Sequence, residues 1–193
     1  MGRVTRLVAV VAMGIVVLAG CQRDEPRSQT PAAAAPAPQE VNPGTLAAGA
    51  RVSAPKGEVV LTMSGAIGTR NQGKKLALDI ASLERMRTVR METSEPFLKR
   101  KVTFEGVLLS DLLTVAGVPD SATKVNMTAL DDYKVDFTVA DVRSSQMMLA
   151  TKADGKRMPV DKAGPIRIVF PDSSGLGHNP DLWIWSVSTM RLS

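Results

Sequence analysis

Short runs in which apolar and polar residues alternate recur along most of the chain, and this period of two is typical of half-buried β-strands. Turn-forming residues separate several of the runs, for example at residues 71–75 and at Asp154-Gly155. The predicted strands are residues 58–63, 88–92, 101–105, 125–129, 133–137, 146–152, 166–170 and 183–192. The pattern therefore indicates a domain that is rich in short strands.

Apolar residues at helical spacing are fewer. The clearest set is Leu108, Leu109, Leu112, Leu113 and Ala116. Gly117 and Pro119 follow this set and are expected to end the helix. Asp79 is a predicted N-cap for a second helix that extends to about Arg87, and residues 138–142 predict a single helical turn. Short strands mixed with two or three short helices indicate one α+β domain with a single core, at residues 57–193.

The first 20 residues have the pattern of a secretory signal peptide. Arg3 and Arg6 precede an uncharged and mostly apolar run at residues 7–20. A helix of this run would span about 21 Å, which is short of the roughly 30 Å hydrocarbon core of a bilayer. We therefore interpret residues 1–20 as a signal peptide and not as a membrane-spanning helix.

Cys21 ends the sequence Leu-Ala-Gly-Cys, which resembles the bacterial lipobox. The resemblance implies a lipoprotein that is cleaved before Cys21 and carries acyl chains such as palmitate there, which anchor it to a membrane. Gln22 follows, where Asp would favour the inner membrane, so we expect a periplasm-facing location at the outer membrane. An ordinary secretory signal with a chance cysteine is the alternative.

Residues 21–56 show no hydrophobic period and are rich in Pro, Ala and Gly. Because proline blocks regular structure, we interpret this segment, which begins with the lipidated cysteine, as an extended tether. Its expected role is to hold the folded domain away from the membrane.

Composition and charge narrow the function classes. The 193 residues are 44% hydrophobic and 22% charged, as in soluble globular proteins. The net charge of +5 falls to +3 when Arg3 and Arg6 leave with the signal peptide, and the basic residues are scattered, so nucleic acid is not an expected partner. One Cys and one His exclude a disulfide framework, a Cys/His zinc centre and an iron–sulfur cluster.

Several stretches together resemble the sulfite-oxidase-type molybdopterin-binding fold. Residues 102–118 are similar to that family's Gly-Val step into a Leu-rich helix, and residues 129–133 to its Ala-Leu-Asp-x-Tyr turn. Residues 149–156 and 164–171 are similar to the two segments that close the fold. The order and spacing agree over residues 58–192, so the resemblance implies this fold for nearly all of the folded part.

The enzymes of that family bind molybdenum through a cysteine thiolate on the strand before the Gly-Val-Leu helix. In this chain Thr93 or Ser94 lies near that position, and the only cysteine is Cys21. A hydroxyl is a poor substitute for a soft thiolate. We therefore expect no metal site and no catalytic residue, and molybdenum is not an expected cofactor.

The chain more closely resembles a stand-alone periplasmic branch of the family that lacks the metal-binding cysteine. The features that favour this branch are Trp183-Ile184-Trp185 and the strand at residues 164–171. Some members of the branch bind free reduced pterins and act on a membrane-bound enzyme that makes or degrades cyclic di-GMP. The resemblance implies a pterin-like ligand and a membrane-bound signalling partner for this chain.

A pterin ring needs a carboxylate along its N3 and 2-amino edge, a donor for its oxo group and an aromatic face. Trp183 and Trp185 lie two apart on a predicted strand, so both point to one face, where they either stack on the ring or fill the core. The candidate carboxylates are Asp131, Asp132 and Asp172.

Five further residues complete the candidate ligand-binding set. Tyr133 either stacks and donates its hydroxyl or is a half-buried strand residue. Arg167 alternates with Ile166 and Ile168, so we expect it outside the core, holding an oxo group or an acidic partner or simply solvated. His178 lies in a Gly- and Ser-rich loop, where it is expected to line a pocket or meet solvent. The hydroxyl residues Thr93 and Ser94 are expected to line the same cavity.

Three functions remain open from the sequence. The first is a periplasm-facing sensor that binds a pterin-like molecule and contacts a membrane signalling protein. The second is a molybdopterin-dependent oxidoreductase, or an accessory subunit of one. The third is a structural accessory whose cavity has degenerated. The missing cysteine and the sparse phosphate-binding residues disfavour the second function, and the aromatic and acidic residues favour the first over the third.

Overall fold

The computed structural model describes Gly2 and residues 37–193. Apart from Gly2, the predicted signal peptide, Cys21 and the first part of the predicted tether lie outside these residues. Within the described part, no helix combines the length and the apolar character that a bilayer crossing requires.

The described residues form eleven β-strands and three short α-helices. The strands are β1 (Gln39–Asn42), β2 (Val59–Gly65), β3 (Leu76–Asp79), β4 (Thr88–Glu95), β5 (Arg100–Leu108), β6 (Lys124–Ala129), β7 (Lys134–Thr138), β8 (Met148–Ala153), β9 (Lys156–Arg157), β10 (Arg167–Val169) and β11 (Val187–Leu192). The helices are α1 (Ile80–Glu84), α2 (Leu109–Val115) and α3 (Val139–Ser144). Short 3₁₀ helices follow at Val160–Lys162, Gly175–His178 and Pro180–Leu182.

The strands form two sheets. One sheet has the order β1-β4-β5-β8-β10, with β9 also paired to β8, and its strand pairs are antiparallel. The other has the order β3-β2-β11-β6-β7, and in it β11 runs parallel to β2. One hydrophobic cluster contains residues of both sheets, for example Met63 and Phe104. The prediction of an α+β domain with a single core is confirmed.

All three predicted helices form, although α1 ends at Glu84 and does not extend to Arg87. Asp79 caps α1, because its carboxylate accepts a hydrogen bond of 2.8 Å from the backbone N–H of Ser82. Burial alone would raise the pKa of Asp79, but this bond and those from the Ser82 hydroxyl and the N–H groups of Gly57 and Lys56 lower the pKa to about 2. Helix α2 buries its leucines and ends before Gly117, whose φ of +65° lies in the left-handed region.

The folded domain begins before the predicted boundary at residue 57. The described part of the predicted tether, residues 37–56, packs on the domain: β1 pairs with β4 and covers the edge of the first sheet. Leu46 and Val52 are buried in the core. The sequence pattern missed this segment because its apolar residues are isolated and have no period.

The predicted last strand is also corrected. Residues 183–186 are not part of β11, which begins at Val187. The 3₁₀ helix Pro180–Leu182 and the φ of +48° at Ser186 turn the chain on either side of the tryptophans. Trp183 and Trp185 are therefore loop residues, and the alternation of a strand does not determine where their side chains lie.

Candidate functional site

The candidate site lies where the turn between β4 and β5 meets the loop between β6 and β7 and the loop segment before β11. Two cavities of about 260 Å³ each occur there, and Trp183 lines both. The first, here called the aromatic cavity, is lined by Phe97, Ala129, Asp131, Tyr133, Pro180, Asp181, Trp183 and Trp185. The second, the hydroxyl cavity, is lined by Thr93, Ser94, Pro171, Asp172, Ser174, Gly177, His178 and Trp183.

The aromatic cavity collects the exposed aromatic side chains of the protein. The sequence contains two Trp, one Tyr and four Phe, all within the described residues. Three of these seven side chains are exposed, and all three line the aromatic cavity: Phe97 (48%), Tyr133 (45%) and Trp185 (38%). The rings of Phe97 and Trp185 meet edge to face, with centroids 4.8 Å apart. The aromatic cavity is therefore walled by ring faces and edges.

Trp183 is the buried wall between the two cavities. Its indole N–H donates to the carbonyl of Gly177 at 2.9 Å, and its ring lies 5.6 Å from that of Phe170. The two tryptophans share the aromatic cavity, as the predicted strand would also have placed them. Both side chains reach the aromatic cavity because the loop turns there, and not because of strand alternation. Trp185 is exposed, whereas Trp183 is buried.

Two aspartates line the aromatic cavity. Asp131 accepts a hydrogen bond of 3.2 Å from the N–H of Tyr133, whose hydroxyl donates to the backbone carbonyl of Asp181 at 2.8 Å. Neither Asp131 nor Asp181 forms an ion pair with any other described residue. Asp132, with a φ of +65° in the turn, lines neither cavity. Acceptor oxygens thus lie beside the exposed rings.

Asp172 is the centre of the hydroxyl cavity. Its Oδ1 lies 2.9 Å from the Thr93 hydroxyl and accepts the N–H of Ser94 at 2.7 Å, and its Oδ2 lies 3.3 Å from the Lys101 ammonium. The Thr93 hydroxyl also lies 2.7 Å from the carbonyl of Phe170, so its one proton has two acceptors. Burial would raise the pKa of Asp172, but these bonds hold it below its ordinary value. His178 lies exposed on the same cavity.

Arg167 is buried, contrary to the prediction from alternation. Its guanidinium donates to Glu95 at 2.7 Å, and the two side chains are 6% and 0% exposed. Burial lowers the pKa of Arg167, while the bond to Glu95 opposes this change. Alternation fails because β10 is covered on both faces: the guanidinium lies 5.1 Å from the ring centroid of Trp185 and 5.5 Å from that of Phe104. Arg167 lines neither cavity and lies behind Trp185.

Sequence reasoning missed three residues of this region. Phe97 lies in the turn between β4 and β5, and Asp181 in a 3₁₀ helix, where no periodicity marks a side chain as functional. Glu95 ends β4 with its side chain buried, and its Oε2 accepts the N–H of Leu98 at 2.5 Å. The alternation along β4 is the only sequence signal that could have identified Glu95 as an inward-facing acid, because it places Glu95 on the same buried face as Val89, Met91 and Thr93.

Comparisons with known proteins agree with this architecture. A family model described as the oxidoreductase molybdopterin binding domain matches residues 58–187. Among solved structures, the sulfane dehydrogenase SoxCD from Paracoccus pantotrophus is similar, with a TM-score of 0.54 and 18% sequence identity. That similarity covers 68% of this chain but only 37% of the SoxCD chain, so this protein spans about a third of that chain's length. No curated protein sequence matches this chain.

Proposed function

The chain belongs to the oxidoreductase molybdopterin-binding domain family, and from this premise we propose that its domain binds the ring of a pterin in the aromatic cavity, without molybdenum. One observation carries this proposal: the exposed aromatic residues Phe97, Tyr133 and Trp185 converge on one cavity with the carboxylates of Asp131 and Asp181. This combination provides the stacking face and the acceptors that the ring requires.

The chemistry of the ring matches the lining. The N3 and 2-amino groups of a pterin are donors that pair with carboxylate oxygens, and its flat bicycle stacks on an aromatic face. The cavity volume of about 260 Å³ lies just below the roughly 300–1,000 Å³ of pockets for drug-sized ligands. A single fused ring system with a short substituent fits this volume better than a nucleotide-sized cofactor.

The residues present do not fit the metal cofactor of the family. Thr93 and Ser94, near the expected ligand position, provide hydroxyls, and the hydroxyl of Thr93 already lies against Phe170 and Asp172. Molybdenum is held by a soft thiolate in the family's enzymes, and an oxygen donor substitutes for it poorly. Within the described residues no group of three or more His, Cys, Asp or Glu side chains is placed to hold a metal ion. The cavities' linings contain one basic side chain, His178, where a cofactor phosphate would need several.

The proposal extends to location and signalling. The lipobox-like sequence at Cys21 supports a lipid-anchored protein that faces the periplasm, at the outer membrane because Gln22 follows the cysteine. The resemblance to the stand-alone branch supports a membrane-bound signalling partner, with an enzyme of cyclic di-GMP metabolism as the candidate. In this role the domain reports pterin availability to that partner.

A molybdopterin-dependent oxidoreductase, or an accessory subunit of one, is the second candidate function. The observations that favour it are the family model over residues 58–187 and the fold shared with a sulfane dehydrogenase. Metal content separates the two candidates directly: the sensor is expected to release a pterin without molybdenum on denaturation, and the oxidoreductase to release stoichiometric molybdenum, both measured by mass spectrometry.

Replacing Trp185 with alanine tests the binding site. We expect Trp185→Ala to weaken binding of 7,8-dihydroneopterin at least about fivefold in isothermal titration calorimetry, because stacking on an aromatic ring contributes roughly 1–3 kcal/mol. Val160→Ala, an exposed apolar residue that lines neither cavity, is the control and should bind as the wild type does. Unchanged affinity in a folded Trp185→Ala variant would contradict the proposed site.

A further inference from the structure

We infer that the aromatic cavity selects its ligand by charge: it accepts an uncharged pterin and rejects the same pterin when it carries a phosphate. This inference rests on the proposed function and narrows its ligand to unphosphorylated pterins. It follows from the distribution of ionisable side chains around the cavity.

The lining of the aromatic cavity is acidic. Asp131 and Asp181 lie in it, and none of its lining residues is Lys, Arg or His. Asp132 adds a third exposed acid beside Asp131 in the chain. None of the three carboxylates forms an ion pair within the described residues, so their charges are not balanced locally.

One cation contacts the walls of the aromatic cavity, but it does not change the sign of the local charge. The guanidinium of Arg167 lies 5.1 Å from the centroid of Trp185 and 5.8 Å from that of Trp183. It is buried behind these rings, and Glu95 balances its charge at 2.7 Å. Its Nε has no hydrogen-bond partner among the described residues, but it does not line the cavity.

A phosphate bound in the aromatic cavity would lie near negatively charged carboxylates. Phosphate sites in proteins provide Arg, Lys or backbone N–H groups, which form charge-assisted hydrogen bonds. Here the exposed groups are carboxylates and rings, and like charges in a partly desolvated site disfavour binding. The carboxylates do not weaken binding of the neutral pterin ring, because its donor edge is complementary to a carboxylate.

The test compares two ligands that differ only in a phosphate. We expect 7,8-dihydroneopterin to bind the full-length protein in titration calorimetry, and its monophosphate to bind at least about tenfold more weakly at low salt. Added salt should narrow this ratio, because the carboxylates are exposed to screening. The double variant Asp131→Asn, Asp181→Asn should also bring the affinities for the two ligands closer together, whatever its effect on either affinity alone. The control variant Asp161→Asn should leave the ratio of the two affinities unchanged.

Each outcome has a distinct meaning. Equal affinities of the wild type for the two ligands would overturn charge selection and leave pterin binding intact. A ratio that the double variant does not change would overturn the assignment to these carboxylates. If neither ligand binds, the proposed function itself fails, and the inference fails with it.

Discussion

Glu95 connects two parts of the candidate site. One oxygen of its carboxylate pairs with Arg167 behind Trp185, and the other accepts the N–H of Leu98, the neighbour of Phe97. Phe97 in turn meets Trp185 edge to face. The buried pair therefore supports both the tryptophan and the phenylalanine that face each other in the aromatic cavity.

Replacing Glu95 with glutamine tests this support. The substitution keeps the shape of the side chain and removes the charge that balances the buried guanidinium, so we expect a loss of about 3–5 kcal/mol of unfolding free energy. Urea denaturation measures this loss. Glu92→Gln, at an exposed pair with Lys101, should change stability by less than about 1 kcal/mol. Equal effects of the two substitutions would show that the buried pair is not structurally important.

Single residues could be predicted where local chemistry decides their role. Asp79 was identified as an N-cap because the capping bond lies within four residues of the chain. Arg167 was not identified as buried, because its partner Glu95 lies 72 positions away and the covering ring of Trp185 lies in a loop. Long-range pairs of this kind leave no periodic signal in a sequence.

At the scale of elements, the closest approach between β5 and β8 depends on Gly106. An added Cβ on this residue would lie 2.1 Å from the carbonyl oxygen of Leu149 and 2.7 Å from the Cα of Ala150. Both contacts are with backbone atoms of β8, which cannot rotate away. The absence of a side chain at Gly106 therefore allows the two central strands of the first sheet to pair with their observed shift in register.

Substituting Gly106 with alanine should separate this pair of strands locally. We expect Gly106→Ala to lower the free energy of unfolding by about 1–3 kcal/mol, the usual cost of overpacking, as measured by urea denaturation. Gly175→Ala is the matched control, since no atom lies within 4 Å of an added Cβ there. A Gly106→Ala variant as stable as the control would disprove the close approach.

The elements themselves were largely predictable. The alternating runs marked β2, β4, β5, β6, β7, β8 and β10 to within a few residues, because each buries one face or is bounded by turn residues. The sequence pattern did not predict β3 and β9. It also did not predict β1, which is exposed along its length and is held by backbone bonds to β4. The last strand was predicted too long, since the apolar residues Trp183 and Ile184 are buried without being part of a strand.

At the scale of the whole molecule, the resemblance over residues 58–192 predicted the fold, and strand periodicity did not determine its topology. The parallel pairing of β2 with β11 joins the two ends of the folded part, which no local pattern encodes. The two cavities of the site likewise combine residues from distant segments, such as Phe97, Tyr133 and Trp185. Their convergence follows from the topology.

The attachment of the molecule to a membrane depends on one residue in our proposal. We expect Cys21→Ser to move the protein from the membrane fraction to the soluble fraction of expressing cells, because no acyl chain can then be added. Immunoblotting of separated fractions measures this change. Gln22→Ala should keep the protein with the membranes. Membrane association of the Cys21→Ser variant would contradict lipid anchoring through this residue.

The position of both tryptophans has a practical optical consequence. Because the chain contains two tryptophans and both line the aromatic cavity, its tryptophan fluorescence originates from residues that line this cavity. A bound chromophore stacked on Trp185 would quench that emission by contact and by energy transfer. Ligand binding in this cavity can therefore be followed by the tryptophan fluorescence of the unlabelled native protein, without an engineered reporter.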